Sequence, residues 1–287
     1  MIFQKEIADK AREWEVPAST VDKDYVLGHF LNCFFNFGDN KNFFVFKGGT
    51  CLKKCYFSSY RFSEDLDFTL LNASFIVNED FFQKITKACT QKTGILFHLT
   101  KFEKKRFLND EKGYKCIIKF WGANHSKNIA PAPFERWTTK IEIDISFDEE
   151  ILYPIDQVKI NHPYSDFELI SENPVPVYNL EEILIEKIRA FYQRSYKAPR
   201  DFYDVWYLLM NHKFENWSEI TKRLNIKCEL KNKIIDTNLF DDEKAFGNLS
   251  RSWERSIAHH LPAKSLPEFE EVWNFLRETL FRKYLKF

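Results

Sequence analysis

The sequence predicts an α+β protein: a mixed sheet with flanking helices, followed by an α-helical second half. Three observations predict it. Residues 65–70 and 138–147 alternate apolar and polar side chains with the period of two of a half-buried strand. The apolar run 43–46 ends on Lys47-Gly48-Gly49-Thr50, as a buried strand ends in a tight turn. Beyond residue 178 the strand pattern stops and every segment reads helical.

Taken in order, residues 4–15 and 20–37 read as helices, with Ser19 or Thr20 as N-cap after Pro17. In the second helix Val21, Tyr25, Leu27, Phe30, Leu31, Cys33 and Phe34 make a broad apolar face. After the 43–46 strand, residues 51–57 continue as a helix. The 65–70 strand follows, then a helix over 79–92 and strands over 95–103 and 113–121, joined by Asn109-Asp110-Glu111-Lys112-Gly113. In the 138–147 strand Ile141, Ile143, Ile145 and Phe147 point one way, and Glu142, Asp144 and Ser146 the other. Pro163, Pro174 and Pro176 mark a soft boundary between 155 and 178, giving a first domain over 1–160 and a helical one over 161–287. Helices are expected at 180–196, 200–211, 216–224, 250–260 and 267–284.

Composition narrows the function classes. Of 287 residues, 44% are hydrophobic, which excludes a disordered chain. The 42 basic and 42 acidic residues balance, which excludes a uniformly basic nucleic-acid coat. The six cysteines form no C-x-x-C pair and the seven histidines show no metal-ligand spacing. The opening residues turn charged at once, unlike a secretory signal, and no run of 18 apolar residues exists. The expectation is a reduced, cytoplasmic protein with no membrane segment.

Three features of the first half carry chemistry. Gly48-Gly49-Thr50 lies between a strand and a helix, where glycines admit a ligand to the backbone, the helix N-terminus favours phosphate, and Thr50 adds a hydroxyl. Asp65 and Asp67, two apart on a strand, face the same side. Side-by-side carboxylates repel unless a cation lies between them, and hard oxygens with substrate phosphates suit Mg²⁺ or Mn²⁺. Asp144 joins them if its strand neighbours the 65–70 strand, with Glu142 a rival on the same face. Three such carboxylates can hold two ions for an in-line displacement.

A glycine turn, sixteen residues, a D-x-D strand and a later strand Asp are the order of the nucleotidyltransferase fold related to DNA polymerase β. Lys47-Gly48-Gly49-Thr50-Cys51-Leu52 with Arg61-Phe62-Ser63-Glu64-Asp65-Leu66-Asp67-Phe68 resembles the AbiEii/AbiGii toxin family of nucleotidyltransferases. Glu186-Lys187-Ile188-Arg189-Ala190 followed by Arg200-Asp201-Phe202-Tyr203-Asp204-Val205-Trp206 resembles that family's helical motif pair, and Val21-Asp22-Lys23-Asp24-Tyr25-Val26-Leu27 its N-terminal helix. The resemblance implies that Asp65, Asp67, Lys187 and Asp204 are catalytic. It also implies nucleotide contacts from Lys47, Gly48, Gly49, Thr50, Arg61, Ser63, Lys187, Arg200 and Asp201. An NTP substrate, an RNA acceptor with tRNA 3′ ends first, and a separately encoded antitoxin follow from the same resemblance.

Charge patterning adds two regions. Lys187, Arg189, Arg194, Lys197 and Arg200 form a run with no acid between them, suited to phosphates. Residues 101–127 interleave eight Lys/Arg with Phe102, Phe107, Tyr114, Phe120 and Trp121, a pattern that also serves core packing. Two other readings compete: a D-x-D metal-dependent glycosyltransferase, and a non-catalytic RNA- or partner-binding module on the same fold.

Overall fold

The computed structural model describes the chain except residues 73, 108, 109, 148, 194–197, 233, 234, 237, 264 and 287. It forms two compact units: Met1–Glu149 with Ile155–Tyr178, and Glu150–Pro154 with Asn179–Phe287.

The first unit is built on a seven-stranded mixed sheet. Helices α1 (Gln4–Glu13), α2 (Ala18–Phe35) and the single turn α3 (Asn40–Phe43) precede strand β1 (Phe44–Lys47). Then follow α4 (Gly48–Cys51), which widens into a π-helical turn over Leu52–Tyr56, and β2 (Asp65–Leu70). Helix α5 (Glu79–Thr93) leads to β3 (Leu96–Phe107), β4 (Asp110–Trp121), β5 (Lys140–Ser146), β6 (Ile155–Val158) and β7 (Val175–Tyr178). The strand order is β3-β4-β5-β2-β1-β7-β6. Pairing is parallel between β2 and β5 and between β1 and β7, and antiparallel elsewhere.

Helix α2 is buried almost all round, as its run of apolar residues demands. Its Phe34 stacks on Phe68 of β2 with ring centroids 4.5 Å apart, and Phe44 and Phe46 flank the same ring. The phenylalanine-rich composition is therefore a contiguous aromatic core between helix and sheet. The backbone of α2 begins at Ala18 with Pro17 as its N-cap residue, and no side chain caps it; Ser19 and Thr20 lie inside the helix.

Two segments differ from expectation. Asp110-Glu111-Lys112-Gly113 is not turn material but the start of β4, so the β3–β4 hairpin is longer than its apolar pattern; Asn109 lies outside the described residues. The stretch 155–178 is not a linker: β6 and β7 complete the sheet, and a boundary at 160 would fall between these two paired strands. Pro176 hid β7, because proline lacks the N–H a strand donates. The bridge to β1 runs through Val177 opposite Phe46, one residue beyond that proline.

The second unit is helical: α6 (Leu180–Gln193), α7 (Pro199–Asn211), α8 (Trp217–Leu230), α9 (Glu243–Ile257) and α10 (Phe269–Phe275), the last continuing as a π-helix over Leu276–Leu285. Its buried Glu182 takes Lys227 at 2.6 Å and accepts from the N–H groups of Leu152 and Tyr153 at 3.0 and 2.9 Å. That carboxylate holds 150–154 to the helical unit, although the chain returns to the sheet directly afterwards. Among the described residues, no helix is long and apolar enough to cross a membrane.

Candidate active site

Strand β1 delivers the chain into Gly48, whose φ of +82° is a left-handed value that a side chain strains. A Cβ there would also collide with Asp67 Oδ2, so the carboxylate lies directly against the turn. At Gly49 a Cβ would come within 3.1 Å of both Arg61 Nη2 and Ser63 Oγ. The two glycines thus gather Asp67, Arg61 and Ser63 around one bend. They also open the short helix α4, whose first N–H groups have no acceptor within the helix.

Thr50 departs from its expected role. It is buried, and its hydroxyl donates to the Asp65 carbonyl at 2.5 Å. The donor expected to meet a phosphate instead pins the start of β2 to the glycine turn.

Pairing then fixes the acidic row. Asp67 stands opposite Lys47 on β1 and beside Asp144 on β5, and Asp65 beside Glu142. Paired residues share a face, so Asp65, Asp67, Glu142, Asp144, Ser146 and Lys47 lie on one side of the sheet. Lys47 is buried; its ammonium reaches across β2 to donate to Ser146 Oγ at 3.1 Å and lies 5.4 Å from the Tyr178 ring centroid.

The two rival carboxylates have different surroundings. Glu142 is held by Lys140 at 2.6 Å and Lys115 at 2.9 Å, and these hydrogen-bonded ammonium groups bring its pKa down to about 2. Asp144 pairs with Lys105 from β3. Lys105 and Lys115 come from the basic stretch 101–127, yet sequence alone did not place them on the acidic face. The aromatics of that stretch pack instead: Phe120 is buried, and Phe102 stacks on Tyr114 at 5.5 Å. The side chain of Phe107 lies outside the described residues.

The donor set fits a hard divalent cation. Three aspartates share a face within two neighbouring strands, and the Lys105 ammonium already sits on one of them as a positive group.

The helical unit carries its own cluster. Lys187 on α6 lies 2.8 Å from Asp204 Oδ2 and 3.5 Å from Asp201 Oδ1, both on α7. The aspartates, three apart on the helix, share a face, and both are buried. Buried carboxylates need a cation, which Lys187 supplies. The basic run does not act as one patch. Arg189 is buried and reaches Glu186 at 3.4 Å, and Arg200 Nε donates to the Ser256 carbonyl at 3.2 Å. Arg194 and Lys197 lie outside the described residues.

One cluster had no signal in the sequence. His29, His162 and Asp166 converge in the first unit although the two histidines stand 133 positions apart in the chain.

Comparison with known proteins agrees with this architecture. The chain resembles MenT4, a nucleotidyltransferase toxin from Mycobacterium tuberculosis H37Rv, with a TM-score of 0.58 and 16% identity over 97% of each chain. It also aligns with JHP933 from Helicobacter pylori, at a TM-score of 0.49 and 15% identity over 94% of this chain and 95% of that one. A search of curated proteins finds no match. Residues 29–275 match the family described as nucleotidyl transferase AbiEii toxin of type IV toxin–antitoxin systems. With the glycine turn and D-x-D strand inside that span, the chain belongs to the AbiEii nucleotidyl transferase toxin family.

Proposed function

We propose that this toxin transfers a nucleotide from an NTP to a hydroxyl on RNA, with tRNA 3′ ends the first acceptor to test, and releases pyrophosphate in the cytoplasm. The observation that carries the reading is the Asp67 carboxylate lodged against Gly48. It brings acid and phosphate turn together at one point of the sheet. Family membership sets aside the glycosyltransferase and the non-catalytic module.

Asp65, Asp67 and Asp144 are the residues that would hold Mg²⁺ or Mn²⁺. Held there, such an ion would supply polarisation of the α-phosphate and neutralise charge on the leaving pyrophosphate. The rest of the work is positioning and electrostatics. The Gly48-Gly49 backbone receives the phosphates, with Arg61 and Ser63 beside Gly49 to fix their oxygens. Lys47 lends positive charge on the same face as the acidic row, and Thr50 keeps the turn and Asp65 in register. Asp144 is the third carboxylate, because it stands beside Asp67 whereas Glu142 is committed to two lysines. Lys187, paired with Asp204 and Asp201, is the residue of the helical unit that the family resemblance assigns to the triphosphate, and Arg200 ties α7 to α9 through the Ser256 carbonyl. The lysines of the β3–β4 hairpin favour a polyanionic acceptor. A cognate antitoxin is the protein partner that the family implies.

The test incubates purified protein with each labelled NTP, Mg²⁺ and total RNA. Label on RNA 3′ ends with wild type, and none with Asp67→Asn, is the expected result. Label on protein with RNA unmarked would overturn the RNA acceptor, and transfer unchanged in Asp67→Asn would overturn the site.

A further inference from the structure

The connection from β6 to β7, residues 159–174, holds only one short 3₁₀ turn, Phe167–Leu169. Connections of that length without structure of their own need anchors. This one lies along α2. Tyr164 OH donates to Asp24 Oδ2 at 2.8 Å, and Asn32 bonds Leu169 O and Ser171 N at 3.2 and 2.9 Å. Between these anchors stand His29 of α2 and His162 and Asp166 of the connection. Gly28 makes the approach possible, since a Cβ there would come within 2.5 Å of His162 Nδ1.

We infer that His29, His162 and Asp166 form a binding site for a divalent transition-metal ion of the zinc class, separate from the nucleotidyl-transfer carboxylates. Their donor atoms all lie within 4.8 Å of one another. His29 Nε2 is 3.2 Å from Asp166 Oδ2, and His162 Nε2 is 3.2 Å from Asp166 Oδ1. Two donors sharing a tetrahedral ion at about 2.0–2.1 Å stand about 3.4 Å apart, so little movement is needed.

The chemistry of the three donors selects the ion. Two imidazole nitrogens and one carboxylate suit zinc-class ions, whereas Mg²⁺ takes oxygen donors. Neither Nδ1 has a hydrogen-bond partner among the described residues. In the metal-free cluster each Nε2 donates to the Asp166 carboxylate, which can only accept; with no partner holding Nδ1, the ring proton can move there when an ion takes Nε2. Both histidine side chains are buried. Tyr25 OH donates to Asp166 Oδ2 at 2.8 Å and orients the carboxylate from behind.

The cluster borders solvent at Asp166, which is 16% exposed. His162 lines a cavity of about 740 Å³ whose wall carries Glu6, Asp9, Glu13 and Glu172 against Lys10 and Lys159. The acidic excess draws cations. A three-ligand set leaves a fourth position to water, so the ion would staple the connection to α2.

Cobalt(II) serves as the spectroscopic probe, titrated into the chelator-treated full chain. One equivalent should produce the visible absorption of a low-coordinate nitrogen-ligated site, and Zn²⁺ should bleach it. His162→Gln should abolish the band. Asp166→Asn, which keeps the shape and most hydrogen bonds of the cluster, should weaken cobalt binding at least tenfold while leaving circular dichroism unchanged. Asp67→Asn should leave the band intact. Absence of the band in wild type, or its survival in a folded Asp166→Asn, would mean a hydrogen-bonded cluster only. Loss of the band in Asp67→Asn would place the ion on the carboxylate row instead. Either result overturns the assignment, and absence of the band leaves the proposed nucleotide transfer untouched.

Discussion

The Asp67 carboxylate fills the volume that a side chain on Gly48 would need. Gly48→Ala should therefore act twice. The left-handed backbone becomes strained by about 1–2 kcal/mol, and the new methyl pushes Asp67 away from the turn. Nucleotide transfer is expected to fall at least about 100-fold, with a lowered melting temperature. Gly38, also left-handed at φ +54° but with nothing within 4 Å, is the control. Gly38→Ala should cost similar strain and leave transfer intact, as paired melting curves and label-transfer assays would reveal.

Register assigns unequal roles to the two acids of β5. Asp144→Asn should reduce transfer by about 100-fold or more, since a lost metal ligand costs no less than a lost supporting contact. Glu142→Gln should stay within a few-fold of wild type, because its carboxylate serves Lys115 and Lys140. Steady-state rates over a Mg²⁺ titration check both: Asp144→Asn should demand more metal and Glu142→Gln should not.

The pair on α6 and α7 makes a stability prediction. Lys187→Met removes the ammonium 2.8 Å from the buried Asp204 carboxylate, which should cost about 3 kcal/mol in urea unfolding. Adding Asp204→Asn should restore much of that loss. A double-mutant cycle with a coupling energy below about 0.5 kcal/mol would contradict the pairing. Transfer should be lost in all three variants.

Asp22 offers a pH signature. It is buried on α2 and accepts from the Asn124 N–H at 3.1 Å, yet burial raises its pKa to about 6. The folded state therefore holds a proton that the unfolded chain has released above about 4. The stability this contributes is complete below the unfolded value and is lost as pH rises through 6. Asp22→Asn should stabilise the fold relative to wild type at pH 7.5 by at most about 3 kcal/mol, read as a raised melting temperature, and the difference should shrink toward zero by pH 4.

How much of this was legible in the sequence depended on how local each signal is. Strand β2 starts and stops where its alternation does, because one face meets the aromatic core and the other carries the acids. Asp144 was legible only as a strand residue on a polar face; its position beside Asp67 is a matter of register, which no spacing encodes. Thr50 was read for its hydroxyl, and only the fold reveals the Asp65 carbonyl as its acceptor. The basic run after Lys187 looked continuous on paper, but Arg189 turns inward because a helix distributes neighbours around its axis. The His29–His162–Asp166 cluster joins distant segments, so a search for ligands at short spacing passes over it.

The detour at 150–154 has a practical outcome for anyone dissecting this toxin. A fragment stopping at 149 lacks the last two strands, and one stopping at 178 strands the Leu152 and Tyr153 amides away from Glu182. No single break yields two self-sufficient pieces. Catalytic and helical halves should therefore be exchanged or separated only by grafts that carry the pentapeptide with its helices.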